Sequence, residues 1–133
     1  MNVLFVCVRN AGRSQMAEAL FQQAAGSEHG ARSAGSDPAA HVHPEVVEAM
    51  REVGVDLSDR MPRRLARADT EWADVVVTMG CGDACPYIPG KRYIDWELSD
   101  PAGKGPAETR AIRDAIAARI GRLLAEIEAN QTL

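Results

Sequence analysis

The first stretch of the chain, Val3 to Val8, is apolar at every position. Unbroken hydrophobicity over so short a run predicts a strand, Asn2 to Val8, buried on both faces. A turn over Arg9 to Gly12 follows. A helix then runs from Ser14 to about Ala25, with Met16, Leu20, Phe21 and Ala24 on one side and Gly26 as its stop. The piece A-R-S-A-G predicts a brief strand ending at Gly35. Pro44 opens a second helix from a favoured first-turn position. Val46, Val47, Met50 and Val53 form its apolar stripe, and Gly54 ends it. Asp74 to Met79, around V-V-V-T, is a further buried strand, and another lies near Arg92 to Ile94. The last helix starts near Pro106 and carries Ile112, Ile116, Ile120, Leu123, Leu124 and Ile127 along one face.

This order predicts an α/β fold. It is a single domain over residues 1–133, a parallel sheet of about four strands with helices on both faces. Such sheets bind ligands beyond the carboxyl ends of their strands. Cys7 ends the first strand and Cys81 follows V-V-V-T-M, so both belong at that edge.

Composition narrows the function. Hydrophobic residues make up 46% and charged residues 26%, as in ordinary globular domains. A net charge of −4 argues against nucleic acid as a partner. No apolar run reaches membrane-span length, and the apolar start lacks the basic flank of a signal peptide. A cytoplasmic monomer is expected. Three cysteines in a reducing compartment point to redox or nucleophilic chemistry rather than to a structural framework. The basic segment D-R-M-P-R-R-L-A-R is expected to be a solvated face, with an anion-attracting rim beside a site as the alternative, and His29, His41 and His43 ordinary surface or turn residues.

The segment C-V-R-N-A-G-R-S, Cys7 to Ser14, joins the first strand to the first helix. Five residues between Cys7 and Arg13 let the backbone curl with its N–H groups inward. A nest of this kind, capped by a helix N-terminus, holds a tetrahedral oxyanion. The oxyanion-binding residues are thus Val8, Arg9, Asn10, Ala11, Gly12, Arg13 and Ser14. Gly12 permits the curl, and the planar fork of Arg13 can grip two oxygens. The same field favours the thiolate of Cys7, and Ser14 can donate to its sulfur. The Walker pattern is absent.

Cys81 and Cys85 stand in M-G-C-G-D-A-C-P, three residues apart. Half of a zinc site is one reading, but no second ligand pair has suitable spacing. Two inert thiols is another; Gly80 and Gly82 beside them favour a pliable, reactive loop.

C-x-x-N-x-x-R-S-Q-M-A-E resembles the start of low-molecular-weight tyrosine phosphatases and, more closely, of the arsenate reductases that share their fold. S-A-G (Ser33 to Gly35), V-V-T-M (Val76 to Met79) and D-P-A-G-K (Asp100 to Lys104) extend the resemblance over nearly the whole chain. It implies a low-molecular-weight phosphatase-like fold and arsenate reduction for arsenic detoxification. The implied catalytic residues are Cys7 as nucleophile, Arg13, Cys81 and Cys85 as second and third thiols, and Asp100 as general acid. The implied redox disulfides are Cys7–Cys81 as intermediate and Cys81–Cys85 as product, reduced by thioredoxin or a related protein. No tightly bound cofactor is implied. A weak monovalent cation is implied beside Asn10, Glu18 and Ser33, with a fourth ligand falling near Arg63. An arginine there would displace the ion, pairing with Glu18 and fixing Asn10; the alternative is that Asp59 or Asp69 supplies the fourth carboxylate after a small shift of the alignment.

Two features depart from the family pattern. Gly12 stands where many members carry a further cysteine. The gap from Cys81 to Cys85 is also short; on one regular helix their Cβ atoms would be about 5–6 Å apart, whereas a disulfide wants about 3.8 Å. Three rival functions remain at this level. A tyrosine phosphatase would not need Cys81 or Cys85 and usually has a tyrosine soon after the Asp-Pro, where Ala102 stands. A redox sensor would need no complete acid. A transferase joining arsenate to a small thiol would need no resolving pair.

Overall fold

The computed structural model describes residues 1–80 and 90–131. Four strands, β1 (Asn2–Cys7), β2 (Gly30–Gly35), β3 (Val75–Thr78) and β4 (Arg92–Asp95), form one sheet in the order β2-β1-β3-β4. All three pairings are parallel, with Val6 opposite Ala34 and Thr78. β1 is central and buried on both faces, which accounts for its unbroken apolar run.

The two faces are covered unequally. Val3, Phe5, Cys7, Val75 and Val77 point into the main core. There they meet α1 (Arg13–Ala25), α2 (Pro44–Arg51) and the long α4 (Pro106–Gln131). Phe5 sits between Phe21 and Trp96, with ring centroids 5.7 and 6.1 Å away. The opposite face, Leu4, Val6 and Val76, is covered by Ala73, Trp72 and Leu65. Trp72 ends α3 (Arg67–Trp72), a helix that the hydrophobic pattern does not predict. The α/β architecture is otherwise the one expected, with helices on both faces of a four-stranded parallel sheet.

Several details differ from expectation. Ala24 is exposed, and the α1 stripe is instead Met16, Ala17, Leu20 and Phe21. α2 stops at Arg51, three residues before Gly54, whose φ of +83° serves the following turn. His29 is buried, its Nδ1 3.1 Å from the amino terminus. The basic segment is the solvated face expected, with Arg63, Arg64 and Arg67 exposed, and it also makes hydrogen bonds and ion pairs. Arg60 bonds Glu18 and Gln22, Arg64 bonds Ser36 O, and Arg67 bonds Glu71. Among the described residues, no helix is long and apolar enough to cross a membrane.

Candidate active site

The turn after β1 is shaped by its carbonyl groups. Val8 O accepts from Asp37 N at 2.8 Å, Arg9 O from Ala39 N at 2.9 Å and Ala11 O from His43 N at 2.9 Å. In a trans peptide the N–H points opposite to the carbonyl. Holding these three oxygens outward therefore turns the N–H groups of Arg9, Asn10 and Gly12 toward the inside of the curl. α1 begins directly behind, with Gly12 at its N-cap and no side-chain cap. Its first N–H groups and its dipole face the same space.

Gly35 lets β2 back onto this loop. A Cβ there would lie 2.6 Å from Val8 O and 3.0 Å from Asn10 N. The last residue of S-A-G is thus a packing requirement of the anion loop.

Cys7 Sγ lies at the base of the curl, buried, 2.9 Å from Ser14 Oγ. The neighbours leave the Ser14 proton available for that bond. Arg63 N can only donate, and it lies 3.0 Å from Asn10 Oδ1. Asn10 therefore presents its oxygen to Arg63 and to Gln15 Nε2, 3.0 Å away. Its Nδ2 is left to donate to Ser14 Oγ at 2.7 Å. With one lone pair so occupied, the Ser14 hydroxyl is free to donate its proton to Cys7 sulfur. A hydroxyl proton aimed at the sulfur can stabilise negative charge there when the sulfur reacts. Asn10 adopts φ +50°, a conformation asparagine tolerates better than most residues.

Arg13 is buried at the loop mouth. Its NH1 donates to Leu98 O at 3.2 Å, and its NH2 lies 3.7 Å from Asp100 Oδ2. Asp100 is about half exposed, and its Oδ1 accepts from Ala102 N at 3.0 Å in the Asp-Pro turn. Pro101 presses on the loop itself: a Cβ on Gly12 would stand 2.7 Å from Pro101 Cγ. The glycine in place of the family's cysteine is what lets the Asp100 turn approach this closely.

Gly80, at φ +84°, packs on the other side of Arg13, where a Cβ would lie 2.8 Å from NH1. A cleft of about 730 Å³ opens there, lined by Thr78, Gly80, Asp95, Trp96 and Leu98 among others. The chain reaches the loop mouth at Gly80, the residue before Cys81. Cys81 and Cys85 themselves lie outside the described residues.

The expected cation ligands face donor groups. Glu18 pairs with Arg60, not with Arg63. Ser33 O accepts from Arg63 NH1 at 2.7 Å. Asn10 Oδ1 accepts the two N–H groups already named. Sequence reasoning missed the partner of Arg63, which is Asp69 at 2.7 Å, and the buried place of Gln15 behind Asn10. Asp69 carries no local motif, and Gln15, although part of Q-M-A-E, is not marked there as buried. Among the described residues, one cluster of metal-ligating type occurs, Glu28, His29 and Glu128. It lies beside the first residues of β1, at the other end of the sheet from Cys7.

The chain matches the family model for low molecular weight phosphotyrosine protein phosphatases over residues 2–133. A solved thioredoxin-dependent arsenate reductase from Corynebacterium glutamicum is 46% identical with a TM-score of 0.86, over 97% of this chain and 62% of that one. This chain therefore spans less than two thirds of that relative's length. An arsenate reductase of Brevibacillus brevis is 40% identical over 123 residues, 89% of this chain and 90% of the relative. The glutaredoxin arsenate reductase of a Synechocystis species is 33% identical over 128 residues, 94% of this chain and 97% of the relative. On this likeness, the chain belongs to the low molecular weight phosphotyrosine protein phosphatase family, in the superfamily that also holds the arsenate reductases.

Proposed function

We propose that this protein is an arsenate reductase. The observation that carries the reading is the Cys7 sulfur, buried 2.9 Å from the Ser14 hydroxyl beside a turn whose Val8, Arg9 and Ala11 carbonyls are all bonded to other segments. Its likeness to reductases from three organisms supports the choice of substrate.

Arsenate binds in the loop against Arg13, and the Cys7 thiolate attacks arsenic. One oxygen leaves as water, protonated with the help of Asp100. The Cys81 thiolate then attacks Cys7 sulfur. The sulfur–arsenic bonding pair stays on arsenic, which departs as arsenite, and a Cys7–Cys81 disulfide remains. Cys85 attacks Cys81, frees the Cys7 thiolate and leaves the Cys81–Cys85 disulfide. A dithiol protein of the thioredoxin type reduces that bond, so the two electrons given to arsenic are replaced. Cys81 follows Gly80 in the chain, and Gly80 lies against Arg13, which favours Cys81 as the second thiol. The enzyme acts as a monomer in the cytoplasm, where its thiols stay reduced.

The test is arsenate-dependent NADPH oxidation with thioredoxin and thioredoxin reductase, with a glutaredoxin arm in parallel. Cys7→Ser abolishes turnover. Cys81→Ser stops before the internal disulfide. Cys85→Ser releases one arsenite and traps the Cys7–Cys81 bond, which mass spectrometry detects. Full coupled activity in Cys85→Ser would rule out the three-thiol sequence.

A further inference from the structure

Asp69 is a carboxylate with only 2% of its side chain exposed, set in the six-residue helix α3 on the face of the sheet away from the main core. A buried carboxylate is costly unless fully partnered. Asp69 is partnered: Oδ1 accepts from Arg63 NH2 at 2.7 Å and Oδ2 from Ala66 N at 3.0 Å, and Arg32 stands 3.5 Å away. The same Arg63 guanidinium donates through NH1 to Ser33 O on β2, and Arg63 O accepts from Gly35 N at 2.9 Å. Arg63 is thereby fixed at both its side chain and its main chain. Its one remaining main-chain group, the N–H, donates to Asn10 Oδ1.

Continuous hydrogen bonds thus run from Asp69 through Arg63 and Asn10 to Ser14 and Cys7. The Asn10 step is the one that decides direction. An asparagine amide can turn over and exchange its oxygen for its nitrogen. Turned over, it would face the Arg63 N–H with another donor and offer Ser14 an acceptor. Ser14 would then give its proton to Asn10 and have none for the Cys7 sulfur. A rigidly held donor at Arg63 excludes that state.

We propose that Asp69 is a positioning residue for the Cys7 nucleophile, acting through Arg63 and the amide of Asn10. The inference rests on Cys7 being the nucleophile. Asp69 holds Arg63 in place, Arg63 selects the orientation of Asn10, and Asn10 leaves the Ser14 proton for the thiolate. Neither Asp69 nor the Arg63 side chain touches substrate.

The experiment measures the pH dependence of iodoacetamide alkylation of Cys7, with Cys81 and Cys85 both changed to serine so that one thiol reports. Asp69→Asn and Arg63→Gln are expected to move the profile toward higher pH by about one unit, roughly tenfold slower alkylation near pH 7. Arg63→Lys, which keeps the charge opposite Asp69, recovers part of the rate. Arg64→Gln, which removes an equal charge from the same segment, leaves the profile in place. In an Asn10→Ala background, Arg63→Gln has no further effect, because its route to Cys7 is already cut. Circular dichroism and melting curves check that each variant folds; should Asp69→Asn not fold, Arg63→Gln, which spares the α3 cap, carries the test. An unmoved profile in the folded variants overturns the proposal, as does an equal shift in the Asn10→Ala background. If Cys7 of the parent protein alkylates no faster than a free thiol, the nucleophile reading fails instead, and the two failures are distinct.

Discussion

Gly12→Ala tests how Asp100, the proposed general acid, is held to the proposed anion loop. The added Cβ would stand 2.7 Å from Pro101 Cγ, 3.4 Å from Pro101 Cδ and 3.7 Å from His43 Cδ2. Carbon atoms rest about 3.5–4.0 Å apart, so the first contact must open by roughly 1 Å. The proline ring has no flexible end to swing aside. Its backbone must move, carrying Asp100 away from Arg13, which it faces at 3.7 Å. Overpacking of this kind costs about 1–3 kcal/mol. A misplacement of about 1 Å can cost up to roughly 100-fold in rate. We therefore expect kcat for arsenate to fall about ten- to a hundredfold, with a lower Tm. Cys7 alkylation should stay within about twofold, since Ser14 meets Cys7, and Asn10 meets Ser14, without Pro101. Gly12→Cys, the residue many relatives carry, should behave alike, and Gly12→Ala combined with Pro101→Ala should regain stability. The assays are thioredoxin-coupled turnover, iodoacetamide alkylation and thermal melting on the same preparations. Undiminished kcat in a folded Gly12→Ala protein would refute the link between Pro101 and the acid. An equal loss of alkylation would show that the loop itself had collapsed.

Gly80→Ala combines a left-handed backbone, which costs about 1–2 kcal/mol for an L residue, with a Cβ 2.8 Å from Arg13 NH1. It should raise KM for arsenate by roughly tenfold, about 1.4 kcal/mol of lost oxyanion binding, and an unchanged KM would mean that Arg13 yields freely. Burial pushes the Asp69 carboxyl up, but the Arg63 hydrogen bond, the Ala66 N–H and the charges of Arg63 and Arg32 outweigh it and hold it below the ordinary 3.8. Its contribution to stability is complete above the unfolded value and is lost as pH falls through the lower folded one. Urea midpoints taken from about pH 5 downward should therefore drop more steeply in the parent protein than in Asp69→Asn. Because Arg60 and Arg63 already occupy Glu18 and Ser33 O, turnover in matched potassium and tetramethylammonium salts should agree within about twofold. A several-fold loss without potassium that disappears in Glu18→Gln would contradict this. Phosphate or sulfate should protect Cys7 from iodoacetamide, and alkylation indifferent to oxyanions would remove the anion loop as a binding site.

What the sequence discloses depends on what each element buries. β1 buries an unbroken apolar run on both faces and α4 an apolar stripe at helical period, so Val3 to Val6 and Ile112 to Ile127 are readable directly. α3 buries Asp69 and Thr70, polar residues in a six-residue turn with a single large apolar residue at its end. No hydrophobic period exists there to read. The anion loop is legible because its chemistry needs a cysteine, a tight curl and an arginine in fixed order. The residues that hold it are not, because they work through the main chain. Asp37, Ala39 and His43 orient the loop with backbone N–H groups that every residue but proline possesses. Arg63 meets Asn10 the same way, and only its side chain, spent on Ser33 O and Asp69, needs to be arginine. Likewise Gly12 is read from sequence as freedom for the curl, whereas the structure adds the reason that a larger residue is excluded, the ring of Pro101 from a distant turn. The nucleophile is therefore marked in the sequence by residue type, while its orientation is set by contacts between segments some fifty residues apart, as Arg63 N and Asn10 Oδ1 are at a separation of 53. Substitutions at Asp69 and Arg63 bear on function for that reason, although neither residue belongs to any motif that names the chemistry.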